Sequence, residues 1–149
     1  MKTLIITHEN DIDGMGSLVL AKTAFSDFDY LVYPSVEVLE ATFRKMLEEG
    51  MLDCYDQIFI TDLALANPSL SLVTENKELS SKIQIFDHHQ KSIDECLDIY
   101  PFTHIKETNS EGRKCCGTEL FYEYLVAKHL LEKTPILDDF VELTRLEDT

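Results

Sequence analysis

The sequence has 149 residues, of which 44% are hydrophobic and 28% are charged, and this composition is typical of a single globular domain with a sizeable core. Four cysteines without a CxxC spacing indicate reduced thiols rather than a disulfide framework or a structural zinc site. The net charge of −15 argues against binding to long duplex nucleic acid, which depends on cationic contacts to phosphate, but it permits a short phosphorylated substrate if the acids hold metal ions.

No apolar run approaches the roughly 18 residues that a membrane helix needs. The apolar run near the start of the chain, residues 3–6, is too short for a signal peptide. We therefore expect a cytoplasmic protein that does not associate with membranes.

Strand-like apolar runs alternate with helical patterns along the chain. In chain order, the predicted elements are a strand over 2–8, a helix over 14–25, a strand over 29–35, a helix over 36–50 closed by Gly50, strand-like runs over 56–65, 81–89 and 102–107, a helix over 117–133 stopped by Pro135, and a helix over 137–149. This alternation predicts an α/β fold in which helices flank a mainly parallel, Rossmann-like sheet. Continuous apolar runs such as residues 58–60 fit parallel strands that are buried on both faces.

Three of the apolar runs lead into acidic and histidine side chains. These residues are His8, Asp11 and Asp13 after the first run, Asp62 in the third, and Asp87, His88 and His89 at the end of the fourth. Because ligands of an open parallel sheet bind outside the carboxyl ends of its strands, we expect these side chains to share one edge. So many carboxylates in a small volume repel one another unless cations neutralise them.

The donor set at this edge predicts divalent metal ions. Oxygen and imidazole donors without thiolate suit manganese, magnesium, iron or catalytic zinc better than structural zinc, and the number of carboxylates favours two ions over one. Taken alone, each motif also fits a simpler interpretation, in which Asp13 caps the following helix and Asp62 is a loop or capping residue. Their coincidence at three strand ends favours the metal site.

These motifs resemble those of the DHH phosphoesterase superfamily. The segment FDHHQK (86–91) resembles the motif that gives the family its name, and HENDIDGMGS (8–17) and ITDLAL (60–65) resemble its first and second motifs. FVELTRLEDT (140–149) is similar to the segment with the fourth-motif aspartate, and GRKCCGTELFYEYL (112–125) to the helix start before it. The combination looks most like the oligoribonuclease, or nano-RNase, branch.

The resemblance implies two divalent metal ions, manganese or alternatively magnesium. It implies that one ion is held by His8, Asp11 and Asp62, and the other by Asp13, Asp62, His88 and Asp148. Glu9 and Asn10 are alternatives to His8, because the first histidine of the family lies two or four residues before the first aspartate and here the separation is three.

The resemblance also implies roles around the metals. Asp62 and His89 are the expected catalytic residues, with Asp62 orienting the attacking water and His89 meeting the phosphate as hydrogen-bond donor or general acid. Asp87 is expected to orient His88.

A phosphate contact is expected where the chain enters the helix at 117. Arg113 and the backbone amides of Gly117 and Thr118 are the candidates. The alternatives are that Arg113 is a solvated cation and that the other two residues only cap the helix.

The function implied is hydrolysis of phosphodiester bonds in short oligonucleotides by a 3′–5′ exonuclease. Alternatives within the family are a cyclic-dinucleotide phosphodiesterase, an exopolyphosphatase and a pyrophosphatase. An alternative of another class is a non-catalytic metal-binding or interaction domain. Family members continue into a DHH-associated substrate domain, so we expect residues 1–149 to be the catalytic domain without that lobe, and the isolated chain to be weakly active or inactive.

Overall fold

Five strands form a central sheet in the structure, a computed structural model that describes residues 1–95 and 97–148. The strands are β1 (Thr3–His8), β2 (Asp29–Tyr33), β3 (Gln57–Thr61), β4 (Ile83–Asp87) and β5 (Thr103–Ile105). The helices are α1 (Ile12–Ala24), α2 (Val36–Glu48), α3 (Asn67–Glu75), α4 (Lys77–Ser80), α5 (Gln90–Asp94), α6 (Gly117–Ala127) and α7 (Pro135–Asp148), and a 3₁₀ turn spans Leu97–Ile99.

The strand order is β2-β1-β3-β4-β5, and every pairing in the sheet is parallel. The predicted α/β fold with a parallel sheet is therefore confirmed. The chain moves outward from β1 to β2 and then crosses back to β3 on the other side of β1, so the strand order reverses between β1 and β3. In open α/β sheets the carboxyl ends at such a point are where ligands bind.

Each face of the sheet packs against its own set of helices because side chains alternate along a strand. Leu4, Ile60 and Ile85 belong to a core shared with α2 and α3. Phe59 and Phe86 point to the other face and pack with α1, α6 and α7 around Phe121, which lies 5.2 and 5.4 Å from their ring centres. This double cover explains the continuous apolar runs of β1, β3 and β4, whereas the edge strand β2 is largely exposed.

Several helices differ from the sequence-based expectation. The Pro-, Ser- and Asn-containing stretch between β3 and β4 forms α3 and α4, and α5 follows β4; none of the three was predicted. The helix predicted over 117–133 ends at Ala127, because His129 has a left-handed backbone (φ 59°) and the amide of Leu130 bonds back to the carbonyl of Leu125. The predicted closure of α2 by Gly50 is confirmed: Gly50 has a left-handed backbone (φ 69°), and its amide donates a hydrogen bond to the Leu47 carbonyl.

Cys54, Cys115 and Cys116 are free thiols, and Cys96 lies outside the described residues. Across the described ranges, no helix combines the length and the apolar character needed to cross a membrane.

Candidate metal centre

The carboxyl ends of β1, β3 and β4 bring the predicted acids and histidines to one edge of the sheet. His8 is the last residue of β1, Asp62 follows β3 directly, and Asp87 ends β4 just before the two histidines. Asp13 lies in the first turn of α1, and Asp148 is the last residue of α7. Segments far apart in sequence therefore meet where the strand order reverses.

The first group of candidate metal ligands consists of His8, Asp11 and Asp62. One ligand atom from each lies within 4.8 Å of the other two. His8 Nδ1 lies 3.0 Å from Asp11 Oδ2 and 3.4 Å from Asp62 Oδ2. The extra residue between the histidine and the aspartate is accommodated because Asn10 adopts a left-handed backbone (φ 52°), which asparagine tolerates. His8, and not Glu9 or Asn10, thus faces the acids.

The second group consists of Asp13, His88 and Asp148, again with one ligand atom each within 4.8 Å. His88 Nε2 lies 3.3 Å from Asp13 Oδ2, 3.3 Å from Asp148 Oδ2 and 3.1 Å from Asp62 Oδ1. The imidazole nitrogen therefore faces three carboxylates from three different segments.

Asp62 lies between the two groups, with one carboxylate oxygen toward His8 and the other toward His88. Its backbone is left-handed (φ 59°), and its amide bonds to the Phe86 carbonyl, so the side chain is turned inward at the strand end. Asp62 Oδ2 and Asp148 Oδ2 are buried and have no hydrogen-bond partner in the described part of the chain. Buried oxygens without donors fit a place for cations, so the residues present fit divalent metal.

Asp87 bonds to His89 and not to His88, which corrects the predicted pairing. Asp87 Oδ1 lies 2.7 Å from His89 Nδ1, and Asp87 Oδ2 accepts a hydrogen bond of 2.5 Å from the Ser92 hydroxyl. The pairing changes because His88 turns its ring into the acid cluster while His89 turns back over the strand end. Ser92 adds the last hydrogen bond of this series, and no motif in the sequence distinguished it.

Asp13 caps α6, a helix that begins more than a hundred residues later. Its Oδ2 accepts from the Gly117 amide at 2.6 Å, its Oδ1 from the Thr118 amide at 2.7 Å, and its carbonyl from the Thr118 hydroxyl at 2.7 Å. The amides of Gly117 and Thr118 are therefore occupied and buried, and the prediction that they hold a substrate phosphate is wrong for this arrangement. Cys116, the N-cap residue of α6, makes no side-chain capping bond, so the distant Asp13 supplies the acceptors, and α1 is capped by Asp11.

The predicted phosphate contact from Arg113 is not supported by its placement. Its side chain is 60% exposed and pairs loosely with Glu111 and Glu142. The neighbouring Lys114 is the cation that borders a cavity of about 260 Å³ beside His88. His89 and Asp148 line the same cavity. Lys114, and not Arg113, therefore lies at the edge of the acid cluster.

Proton affinities in the site follow from burial and from these contacts. Burial and the adjacent Asp11 and Asp13 raise the pKa of Asp62 to about 12. Burial alone would raise the pKa of Asp13 too, but hydrogen bonds from His88 and Thr118 outweigh it and hold that pKa well below its ordinary value. One carboxylate of the cluster thus carries a proton while its neighbour stays ionised.

The same acids favour the protonated, positively charged forms of the histidines. Burial opposes a charge on His88, but contact with Asp13 raises its pKa above the ordinary value. The bond to Asp87 raises the pKa of His89. Burial raises the pKa of Asp148, and the adjacent Asp62 lowers that of Asp11.

We expect the metal-free protein to become more stable as the pH falls from about 8 to about 5. A group whose pKa is raised by folding stabilises fully below its unfolded pKa and loses that contribution as the pH rises, and this applies to Asp62, Asp148, His88 and His89. Each proton taken up on folding changes the free energy of unfolding by about 1.4 kcal/mol per pH unit. Urea unfolding in EDTA across this range measures the slope.

The opposite trend belongs to Asp13, whose lowered pKa contributes above about pH 4 and is lost on further acidification. Stability should therefore fall again below about pH 4. A divalent ion displaces the protons bound by these side chains. Its affinity should therefore rise with pH over the range in which the metal-free protein loses stability. A pH-independent metal affinity would contradict this account.

Comparisons with known proteins agree with the fold and the motifs. The model of the DHH family, N-terminal domain, matches residues 2–145. Oligoribonuclease NrnB of Bacillus subtilis (strain 168) is 32% identical over 141 residues, which cover 94% of this chain but 35% of that protein, so the chain spans about a third of the relative's length. The chain also superposes on an uncharacterized protein from Helicobacter pylori G27 with a TM-score of 0.73 and 20% identity, covering 99% of this chain and 44% of that one. At that identity the likeness concerns the fold alone.

Proposed function

This chain belongs to the DHH family as its N-terminal domain, and on that premise we propose that it is the metal-binding domain of a phosphodiesterase that acts on short oligonucleotides. The resemblance to an oligoribonuclease supports this substrate class over inorganic polyphosphate or pyrophosphate. The excess of acids supports it over long duplex nucleic acid, because bulk electrostatic attraction to phosphate is missing.

The observation that carries the proposal is the position of Asp62 between two groups of ligands. Its two oxygens lie 3.4 Å from His8 Nδ1 and 3.1 Å from His88 Nε2, so one carboxylate faces both groups. Paired metal ions in phosphatases and nucleases lie about 3.5–4 Å apart, and a carboxylate between two groups of ligands suits such a pair.

The residues would divide between two ions as follows. One ion would be held by His8, Asp11 and Asp62, and the other by Asp13, Asp62, His88 and Asp148. When bound, such ions supply an activated water and neutralise charge on the phosphoryl oxygens. Manganese and magnesium both accept this mixture of carboxylates and imidazoles.

His89 supplies the proton chemistry beside the metals. Asp87 holds Nδ1, which leaves Nε2 directed toward the acid cluster, 3.8 Å from Asp62 Oδ1. The side chain is 46% exposed, so a substrate phosphate can reach it. Asp87 raises the pKa of His89, which favours the protonated ring and its role as a donor to a phosphoryl or leaving-group oxygen.

Replacing Asp87 by asparagine should therefore weaken hydrolysis by about 10–100-fold while metal binding remains. The removed negative charge should also lower the pKa of His89 toward 6.5, since Asp87 is the main cause of the upward shift. An NMR titration of the His89 ring in EDTA measures this without any catalytic assay. Ser92→Ala removes the other hydrogen bond of Asp87 and is the control, because it leaves the charge beside His89 in place.

The proposal is tested by metal titration and by cleavage of a labelled dinucleotide. Wild type should bind two Mn²⁺ ions and, with protein in excess over substrate, convert the dinucleotide to mononucleotides in Mn²⁺ but not in EDTA. Excess protein allows a slow single turnover to be seen. Mn²⁺ binding with no cleavage at all would favour the alternative of a non-catalytic metal-binding domain, and the metal assignment is wrong if Asp62→Asn binds Mn²⁺ as tightly as wild type.

A further inference from the structure

A cavity of about 420 Å³ lies next to the metal centre, on the face of the sheet covered by α2. It is enclosed by the start of α2, the segment after β3, and α5 with the 3₁₀ turn that follows. His8, Asp87 and His89 line both this cavity and the acid cluster. A phosphate at the cluster would therefore have one of its substituents beside the cavity.

The wall of the cavity is predominantly apolar. Its apolar side chains are Val36, Leu63, Ala64, Leu65, Ala66 and Leu97. Leu63, Ala64 and Leu65 are almost completely buried, so this wall is preformed. A preformed apolar cavity of this size accommodates a flat aromatic group such as a nucleobase.

The charged groups of the cavity disfavour a second phosphate. Among the described residues, Glu37, Glu95 and Asp87 line it with carboxylates beside the ammonium group of Lys91, whereas the carboxylate of Glu40 is paired with Arg44. An anionic substituent would meet this excess of negative charge, whereas hydroxyl and amino groups would find acceptors.

Glu40 is a fixed acceptor in this wall. Its carboxylate accepts hydrogen bonds from the Ala66 amide and the Ser69 hydroxyl and pairs with Arg44 at 3.5 Å. At the mouth, Lys91 and Glu37 are both exposed and lie 3.8 Å apart, so the start of α2 and α5 are in contact across the entrance. An exposed pair of this kind contributes about 0–1 kcal/mol and would not prevent entry.

We propose that this cavity binds the uncharged nucleoside attached to the phosphate that is hydrolysed. The inference rests on the proposed function, and it adds the reason why a nucleotide would be preferred over pyrophosphate or polyphosphate: the substituent next to the metals must be neutral and partly aromatic. The nucleobase lies against Val36 and Ala66, the partly exposed apolar residues of the lining, and the sugar lies nearer His8 and His89.

The test compares probes with and without the nucleoside by NMR in Mg²⁺, a diamagnetic ion. Adenosine 5′-monophosphate should bind at least about tenfold more tightly than inorganic phosphate, a difference of about 1.4 kcal/mol, and should shift the signals of Val36, Leu65 and Leu97. Val36→Trp, which fills the cavity from its partly exposed rim, should reduce the affinity for the nucleotide to that for phosphate. Val38→Trp is the matched control on the same helix, because Val38 is 42% exposed and does not line the cavity.

The outcomes separate this inference from the proposed function. Equal affinities for the nucleotide and phosphate, or equal effects of the two tryptophan variants, would overturn the cavity assignment while leaving phosphate binding at the metals intact. Adenosine without phosphate should still shift the cavity signals in EDTA. If it does so while neither phosphate nor the nucleotide responds to Mg²⁺, the nucleoside site stands and the metal-dependent function fails.

Discussion

Replacing Asp62 by asparagine is expected to stabilise the metal-free protein and to remove most of its stabilisation by divalent cations. Asp62 is fully buried, and one of its oxygens finds no hydrogen-bond donor among the described residues. Because its pKa is raised to about 12, folding at neutral pH requires this carboxyl group to take up a proton. Asparagine has nearly the same shape without that requirement, so the free energy of unfolding in EDTA should rise by about 2 kcal/mol.

With metal present, wild type should become more stable than Asp62→Asn. A ligand at 100 times its Kd stabilises the folded state by about 2.7 kcal/mol, and wild type should show a gain of this order in Mn²⁺. The asparagine variant lacks the carboxylate shared by the two groups, so most of this gain should disappear. Dinucleotide cleavage should fall by about 10³-fold, which corresponds to about 4 kcal/mol of transition-state stabilisation.

Urea unfolding in EDTA and in Mn²⁺ measures both effects with the same signal. Asp27→Asn is the matched control, because it makes the same chemical change at an exposed position outside the candidate groups and should alter neither value. A loss of stability in EDTA for Asp62→Asn would show that the carboxylate is structurally required. Retained stabilisation by Mn²⁺ would show that it is not a ligand.

The edge at which the site forms could be predicted from sequence because it depends only on strand direction. Once apolar runs are taken as parallel strands, the residues that follow them must share an edge, and His8, Asp62 and His88 do so. Asp148 could not be located in this way, since it ends a helix; its position was expected from the resemblance of residues 140–149 to a family motif. The structure places its carboxylate 3.3 Å from His88 Nε2.

Details that depend on side-chain rotation could not be predicted. Asp87, His88 and His89 are consecutive, and nothing in their order decides which histidine turns toward the aspartate. Tertiary contacts decide it: His88 faces acids from α1, α7 and the end of β3, which leaves His89 to Asp87.

Helix bounds were missed where local signals were weak or conflicting. The stretch that forms α3 contains serine, proline and asparagine, residues that also favour turns, and burial of Leu70 and Val73 against the sheet makes it helical. The end of α6 depends on a left-handed histidine, where glycine would have been the recognisable signal.

Asp13→Asn should have the opposite effect on the metal-free protein to Asp62→Asn, although both variants remove one buried carboxylate from the same cluster. Both oxygens of Asp13 accept short hydrogen bonds from the first amides of α6, and its negative charge lies at the positive end of that helix. Asparagine offers one acceptor oxygen, so one of the two buried amides would face an NH₂ group. The free energy of unfolding should therefore fall by about 3 kcal/mol at neutral pH.

The pH dependence of this loss of stability shows whether it comes from the negative charge of Asp13. Because folding lowers the pKa of Asp13, its contribution is present above about pH 4 and disappears as the carboxylate is protonated, so the difference between wild type and Asp13→Asn should shrink in acid. Asp11→Asn is the control: it also removes a candidate ligand, but asparagine caps a helix as well as aspartate and the pKa of Asp11 is lowered less than that of Asp13, so the loss of stability in EDTA should be smaller. Equal stability of the Asp13 and Asp11 variants in EDTA would mean that α6 does not depend on the carboxylate. A loss confined to Asp13→Asn would show that one residue of the metal centre also holds the helix beneath it in place.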